Sequence, residues 1–258
     1  MIRFGPAGLG GVKEAISNLG RYKELGLKAC EIAFTYGVYI KEKDAVEIGK
    51  KAKELDIKLS IHAPYWINLN SSEKKKIEQS KQRILGCCRI GEDLGAYTVV
   101  FHSGFYGKMD KETTFQNIKK AMVEMQQEIK KSKWKIKLAP ETMGKINVFG
   151  SLDEILRLVK ETGCSFCIDF AHLHARSLGK QGYGEMYEQV KSFPELHCHF
   201  SGINYGQKGE RNHIVTSEAE LKKLLEFLPK NKEAVIINES PDPVGDSVKG
   251  LNIWKKLK

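Results

Sequence analysis

Two hydrophobic periods alternate along the chain from end to end. Short β-branched or apolar runs recur near 2–5, 28–34, 57–63, 97–103, 134–141, 165–170, 196–202 and 234–239. Runs of this length between turn residues predict strands. Between them apolar positions fall at helical spacing, for instance over 12–25, 73–94, 111–131, 152–162 and 217–228. Ser151 with Glu154 and Ser217 with Glu220 form capping-box signatures at two helix starts. Gly26, Gly95 and Gly163 stand where helices should stop before the next strand. Eight strand-helix units in 258 residues match the size of a (β/α)8 barrel. A doubly wound sheet is the competing α/β arrangement, but Gly8-Leu9-Gly10-Gly11 lacks the third glycine of a dinucleotide-binding turn. With no linker, repeat or low-complexity tract, the expectation is an α/β fold with one (β/α)8 domain over 1–258.

Composition changes this picture little. Apolar residues at 41% and charged residues at 29% suit a globular chain with an ample core. No apolar run approaches the roughly 18 residues of a membrane span, and the first residues lack an export pattern. The expectation is a cytoplasmic monomer with no membrane partner. Six cysteines, two adjacent at Cys87 and Cys88 and one Cys-x-x-Cys pair at Cys164 and Cys167, form no disulfide framework. They read as small core residues. The net charge of +10 is compatible with a polyanion partner. It does not select one, because the 42 basic residues include only 7 arginines, the residue preferred for bidentate phosphate recognition.

In such barrels the chemistry sits at the C-terminal ends of the strands. Strands three to six end in His62, His102, Glu141 and Asp169, the seventh carries His199 and the eighth ends in Glu239. Six groups of metal-ligand type thus converge on one rim. Unpaired carboxylates crowded there would repel and raise one another's pKa, a conflict that cations resolve. Three imidazoles with three carboxylates suit zinc, manganese, iron or cobalt better than calcium or magnesium. His172, three residues past Asp169, and His213, in the loop after the seventh strand, can supply a further metal or hold a phosphate. His174 and His197 are left over, with His197 on the face of His199 but deeper.

The segments His62-Ala-Pro-Tyr-Trp-Ile-Asn-Leu69, Phe101-His-Ser-Gly104, Pro140-Glu-Thr142, Cys167-Ile-Asp-Phe-Ala-His172, His199-Phe and Asn238-Glu-Ser-Pro-Asp242 resemble the endonuclease IV family of apurinic/apyrimidinic endonucleases. They run in that family's order across nearly the whole chain. The resemblance implies a barrel with a cluster of two or three zinc ions that incises damaged double-stranded DNA 5′ of an abasic site. It implies that His62, His102 and Glu141 hold one metal, and that Glu141 bridges to a second held with Asp169, His199 and Glu239. His172 and His213 would hold the third, and Tyr65 and Trp66 would enter the duplex at the lesion. There are departures. Arg211 stands where the family has a carboxylate two residues before the last histidine, with Glu210 the nearest substitute if the loop is rearranged. The segment Phe34 to Tyr39 also lacks the arginine that the family places against DNA.

Metals about 3.5–4 Å apart can activate a water for in-line attack on phosphorus and stabilise the leaving oxygen. Glu141, Glu239 and Asp169 are the expected catalytic carboxylates. The rival within the same fold is a metal-dependent sugar isomerase or epimerase of the xylose-isomerase-like group, which the quartet Glu141, Asp169, His199 and Glu239 also resembles. Its single-metal site would give His62, His102, His172 and His213 no joint role. A third reading is a metal-binding barrel that binds DNA or protein without catalysis.

Overall fold

A computed structural model describes residues 1–228 and 232–257. Eight parallel strands form the barrel: β1 (Ile2–Pro6), β2 (Ala29–Ala33), β3 (Lys58–His62), β4 (Thr98–Phe101), β5 (Lys137–Pro140), β6 (Ile168–Asp169), β7 (Glu195–Phe200) and, after a hairpin of β8 (Gly202–Gly206) and β9 (Gly209–Ile214), β10 (Glu233–Asn238). The helices are α1 (Val12–Glu24), α2 (Glu42–Glu54), α3 (Lys74–Leu94), α4 (Lys111–Lys131), α5 (Leu152–Thr162), α6 (Phe170–Arg176), α7 (Tyr183–Val190), α8 (Glu218–Leu225) and α9 (Pro243–Leu257). Two four-stranded sheets, β1-β10-β7-β6 and β2-β3-β4-β5, are joined by parallel bridges Ala7 to Glu31 and Glu141 to Cys167. These two bridges close the barrel. At the first seam a Cβ on Gly5 would lie 1.9 Å from the carbonyl oxygen of Ala29, so only glycine permits the approach.

Side-chain alternation divides the interior. On β7, Leu196, Cys198 and Phe200 join the large core between strands and helices, while His197 and His199 point into the barrel. On β10, Val235 and Ile237 point inward with Ala29. All six cysteines are buried free thiols, as expected of core residues. Ion pairs tie the N-terminal ends of the strands together: Arg3 to Asp56 at 2.9 Å, Lys58 to Glu233 at 2.9 Å and Lys137 to Glu195 at 2.7 Å. Ser151 and Glu154 form the full capping box. Ser217 caps α8, but Glu220 turns instead to Tyr183 and Lys223.

Two elements differ from the expected pattern. The sixth strand keeps only two residues, because Asp169 is already the N-cap of α6 and accepts a 2.8 Å hydrogen bond from the His172 N–H. The segment read as a loop after the seventh strand is the antiparallel β8-β9 hairpin, and His213 lies on its second strand. The hairpin leans on the segment after β5. The Glu210 N–H donates to the Gly144 carbonyl at 3.1 Å, and a Cβ on Gly209 (φ +88°) would sit 2.1 Å from that oxygen.

Candidate metal centre

All eight expected ligands meet at the C-terminal rim. Glu141, fully buried at the end of β5, is the hub. Its Oε2 lies 3.1 Å from both His62 Nε2 and His102 Nε2. Its Oε1 lies 3.1 Å from His172 Nδ1 and 3.5 Å from His199 Nδ1. Glu239 Oε2 is 3.4 Å from the same His199 nitrogen. Four groups emerge among the described residues whose donor atoms lie within 4.8 Å of one another: His62, His102 and Glu141; Glu141, Asp169, His199 and Glu239; His172, Glu210 and His213; and a buried set of Cys167, His197 and His199. Strand alternation explains the first two, since His102, Glu141, Asp169 and Glu239 each stand two residues past the inward-facing Val100, Ala139, Cys167 and Ile237.

The third group depends on an irregularity. In the hairpin Asn204 pairs with Asn212, but Tyr205 pairs with Glu210, so Arg211 is an extra residue in a β-bulge. The extra residue flips the alternation and carries Glu210 to the side of His213. Glu210 Oε2 lies 3.6 Å from His172 Nε2, and the two imidazole Nε2 atoms lie 3.3 Å apart. The guanidinium of Arg211 sits over Gly206, away from this group.

The imidazoles are oriented from behind. His62 Nδ1–H donates to the Ala63 carbonyl at 2.8 Å, and His172 Nδ1 lies 3.0 Å from the Thr142 carbonyl. His213 Nδ1 pairs with the Ser201 hydroxyl at 2.5 Å. Each such partner leaves the other nitrogen for the centre, the pattern that tunes metal-binding histidines. Burial pushes the Glu141 carboxyl up, but His102 and His199 outweigh it and hold it well below the carboxylate range. Burial also opposes ionisation of Glu239, yet His199 beside it brings its pKa to about 2. For His62, burial is overcome by Glu141 and the value rises to about 9. Burial lifts Asp169 despite His172. Imidazolium protons thus balance the carboxylates in the protein alone, and ligands of this kind exchange such protons for a metal. The donor set fits a divalent cation on a further count. Glu141 Oε1, Asp169 Oδ2 and His199 Nδ1 are buried without hydrogen-bond partners among the described residues, and each points into the cluster.

A cavity of about 550 Å³ opens above the centre, lined by His62, Tyr65, His102, Phe105, His172 and Glu210 among others. Tyr65, 60% exposed, stands on its lip, and Trp66, next in the chain, is 64% exposed. Their loop is held by a 3.1 Å bond from Arg83 to the Trp66 carbonyl. Tyr36, 83% exposed, occupies the segment where no arginine is found. His174 turns away to the Gln181 carbonyl at 3.2 Å. One member of the site's surroundings escapes the rule of strand-closing residues. Glu31, in the middle of β2, is fully buried, and its Oε1 lies 2.8 Å from His199 Nε2. A lone acid inside the apolar run Ala29-Cys-Glu-Ile-Ala33 was the available signal.

A parallel barrel with clustered imidazoles and carboxylates on its C-terminal rim defines a class of metal-site TIM barrels. Residues 19–257 match the family model described as xylose isomerase-like TIM barrel, and the chain belongs to that family. An uncharacterized protein of Methanocaldococcus jannaschii is 35% identical over 100% of this chain and 98% of its own. A probable endonuclease 4 of Mycobacterium leprae is 27% identical over 70% of this chain and 72% of its own. Among solved structures, endonuclease IV from Thermus thermophilus superposes with a TM-score of 0.75 at 17% identity, covering 99% of this chain and 100% of that one. D-Psicose 3-epimerase from Clostridium cellulolyticum superposes with a TM-score of 0.71 at 12% identity, covering 98% of each. At such identities the superpositions establish the fold alone.

Proposed function

We propose that the chain is a metal-dependent DNA repair endonuclease that cleaves the phosphodiester 5′ of an abasic site in double-stranded DNA. The observation that carries this reading is the third ligand group, His172, Glu210 and His213, beside the two groups that share Glu141. An enzyme working through one cation at Glu141, Asp169, His199 and Glu239 has no use for the others. The named relative of Mycobacterium leprae supports the same reading.

Bound zinc, or manganese or iron on the same donors, would supply an activated water and neutralise charge on the phosphate. The residues of the chain do the rest. Glu141 presents one oxygen to each side of the cluster and so fixes the spacing of the first two groups. Asp169 and Glu239 flank it and can orient an incoming water by accepting its hydrogen bonds. His172 and His213, aimed by the Thr142 carbonyl and the Ser201 hydroxyl, hold the side nearest the hairpin, where the phosphate or leaving oxygen is received. Tyr65 and Trp66 offer faces that fill the gap left by a missing base, and an abasic sugar is extruded at little unstacking cost.

The epimerase reading keeps one specific support, the quartet of Glu141, Asp169, His199 and Glu239 on a fold shared with D-psicose 3-epimerase. One experiment separates the two. The protein is incubated with a duplex carrying a single abasic-site analogue and, in parallel, with ketoses. Incision immediately 5′ of the lesion, absent from an undamaged duplex, supports the nuclease; ketose turnover without incision rejects it.

A further inference from the structure

Barrel interiors are ordinarily filled by branched apolar side chains, yet directly beneath the candidate centre this barrel carries a buried polar column. Tyr97 O–H donates to His197 Nδ1. His197 Nε2–H donates to Glu31 Oε2 at 3.0 Å, and the Ser60 hydroxyl donates to the same oxygen at 2.8 Å. That oxygen is satisfied. The other oxygen of Glu31, Oε1, and His199 Nε2 are both buried and lie 2.8 Å apart as an ion pair, and neither makes a hydrogen bond among the described residues. Each is therefore available to the other. The opposite nitrogen of the same ring, Nδ1, faces Glu141 and Glu239.

We infer that Glu31 is a positioning residue: it holds the hydrogen of His199 on Nε2 and keeps Nδ1 free and aimed at the Glu141, Asp169 and Glu239 group. The inference rests on the metal-centre reading above. His62, His172 and His213 have a carbonyl or a hydroxyl behind them, whereas His199, the sole imidazole of its group, has a carboxylate at 2.8 Å. A carboxylate behind a metal-binding histidine raises the basicity of the ring as well as fixing its tautomer. Tyr97, His197 and Ser60 in turn keep Glu31 from rotating. A carboxylate is costly to bury, and a purely structural role at this position would be served as well by an apolar side chain of similar volume.

The test compares the full chain with Glu31→Gln and Ser60→Ala. Each is stripped of metal, titrated with Co²⁺ while its visible absorption is recorded, and melted with and without the metal. The expected result for Glu31→Gln is a 10- to 100-fold weaker affinity for one equivalent of Co²⁺, with a changed absorption band and the remaining equivalents unaffected. The melting temperature without metal is unchanged or raised, because a buried charge has been removed, while the rise on adding Co²⁺ shrinks. Ser60→Ala shows the same pattern more weakly and serves if Glu31→Gln does not fold. Equal losses of melting temperature with and without metal, at unaltered Co²⁺ affinity, would make Glu31 a structural residue only and overturn the inference. A wild-type chain that takes up no Co²⁺ would instead refute the metal centre itself, and the positioning role with it.

Discussion

Glu141 illustrates how one side chain can define a site. It is fully buried, its two oxygens face opposite sides of the cluster, and four imidazoles lie within 3.5 Å of them. Glu141→Gln keeps the shape and removes the charge that both groups share. Metal content and incision should be lost together in that variant, and retention of both would reject the hub. Trp66 is a different kind of residue, exposed and outside the cluster. Trp66→Ala is expected to leave bound metal unchanged and to weaken binding to a lesion duplex by about 1–3 kcal/mol, the usual worth of a stacked base. An unchanged affinity in a titration would remove the wedge. At this scale the sequence was informative wherever a candidate ligand stands at the C-terminal end of a strand, because alternation sets which residues there share the axis-facing side. Glu31 was not legible in that way. It sits two residues before the end of β2, and its role depends on the neighbouring strands that bring Ser60, His197 and His199 to it.

Among the elements, the β8-β9 hairpin departs most from the sequence reading. The expectation for this segment is a loop; in a regular strand Arg211 would share a face with His213, and the bulge reverses this by placing Arg211 outside the register. Pairing geometry of this sort is set by contact with the segment at Gly144, and nothing local in Gly209-Glu-Arg-Asn-His213 announces it. Glu210→Gln should therefore cost one equivalent of bound metal, whereas Arg211→Ala should cost none; elemental analysis of the two variants distinguishes this from an arginine-bearing site. The base of the hairpin is anchored by Asp246 of α9, which accepts from the Thr216 N–H at 2.6 Å and pairs with Lys249. Burial pushes the Asp246 carboxyl up, but Lys249, Thr216 and Ser240 outweigh it and hold it below its ordinary 3.8. A lowered folded-state pKa gives stability that is present above the unfolded value and lost as pH falls through the folded one. Asp246→Asn should thus lower stability by about 1.5–3 kcal/mol at neutral pH. Its urea midpoint should fall less steeply than wild type as pH drops below about 4. Parallel pH profiles for the two proteins would contradict that role.

For the whole molecule, the eightfold alternation of strands and helices was readable because parallel strands buried on both faces stand out against amphipathic helices. The closure of two half-barrels at Gly5 and at Glu141, and the ion pairs below, depend on contacts distant in sequence and were not. No helix among the described residues is long and apolar enough to cross a membrane. Much of the basic charge is engaged. Lys58 and Lys137 pair with acids at the barrel floor, and Lys119 with Glu161 outside it. Lys145, Lys208 and Arg211 instead line a groove beside the hairpin, where the proposed function would bring a phosphate backbone. Affinity for a lesion duplex should fall as salt is added, and Lys208→Ala should reduce the slope of log affinity against log salt by about 1. A flat salt response would count against DNA as the substrate.

In the proposed centre three candidate ligand groups surround one rim, two of them sharing Glu141 and the third completed by Glu210. Counting metal ions per chain by native mass spectrometry, after reconstitution with zinc, tests it most directly. Three ions in the wild type and two in Glu210→Gln are the predicted result. A single ion, unchanged by the Glu210 substitution, would contradict the account and leave a one-metal sugar-converting barrel as the better description.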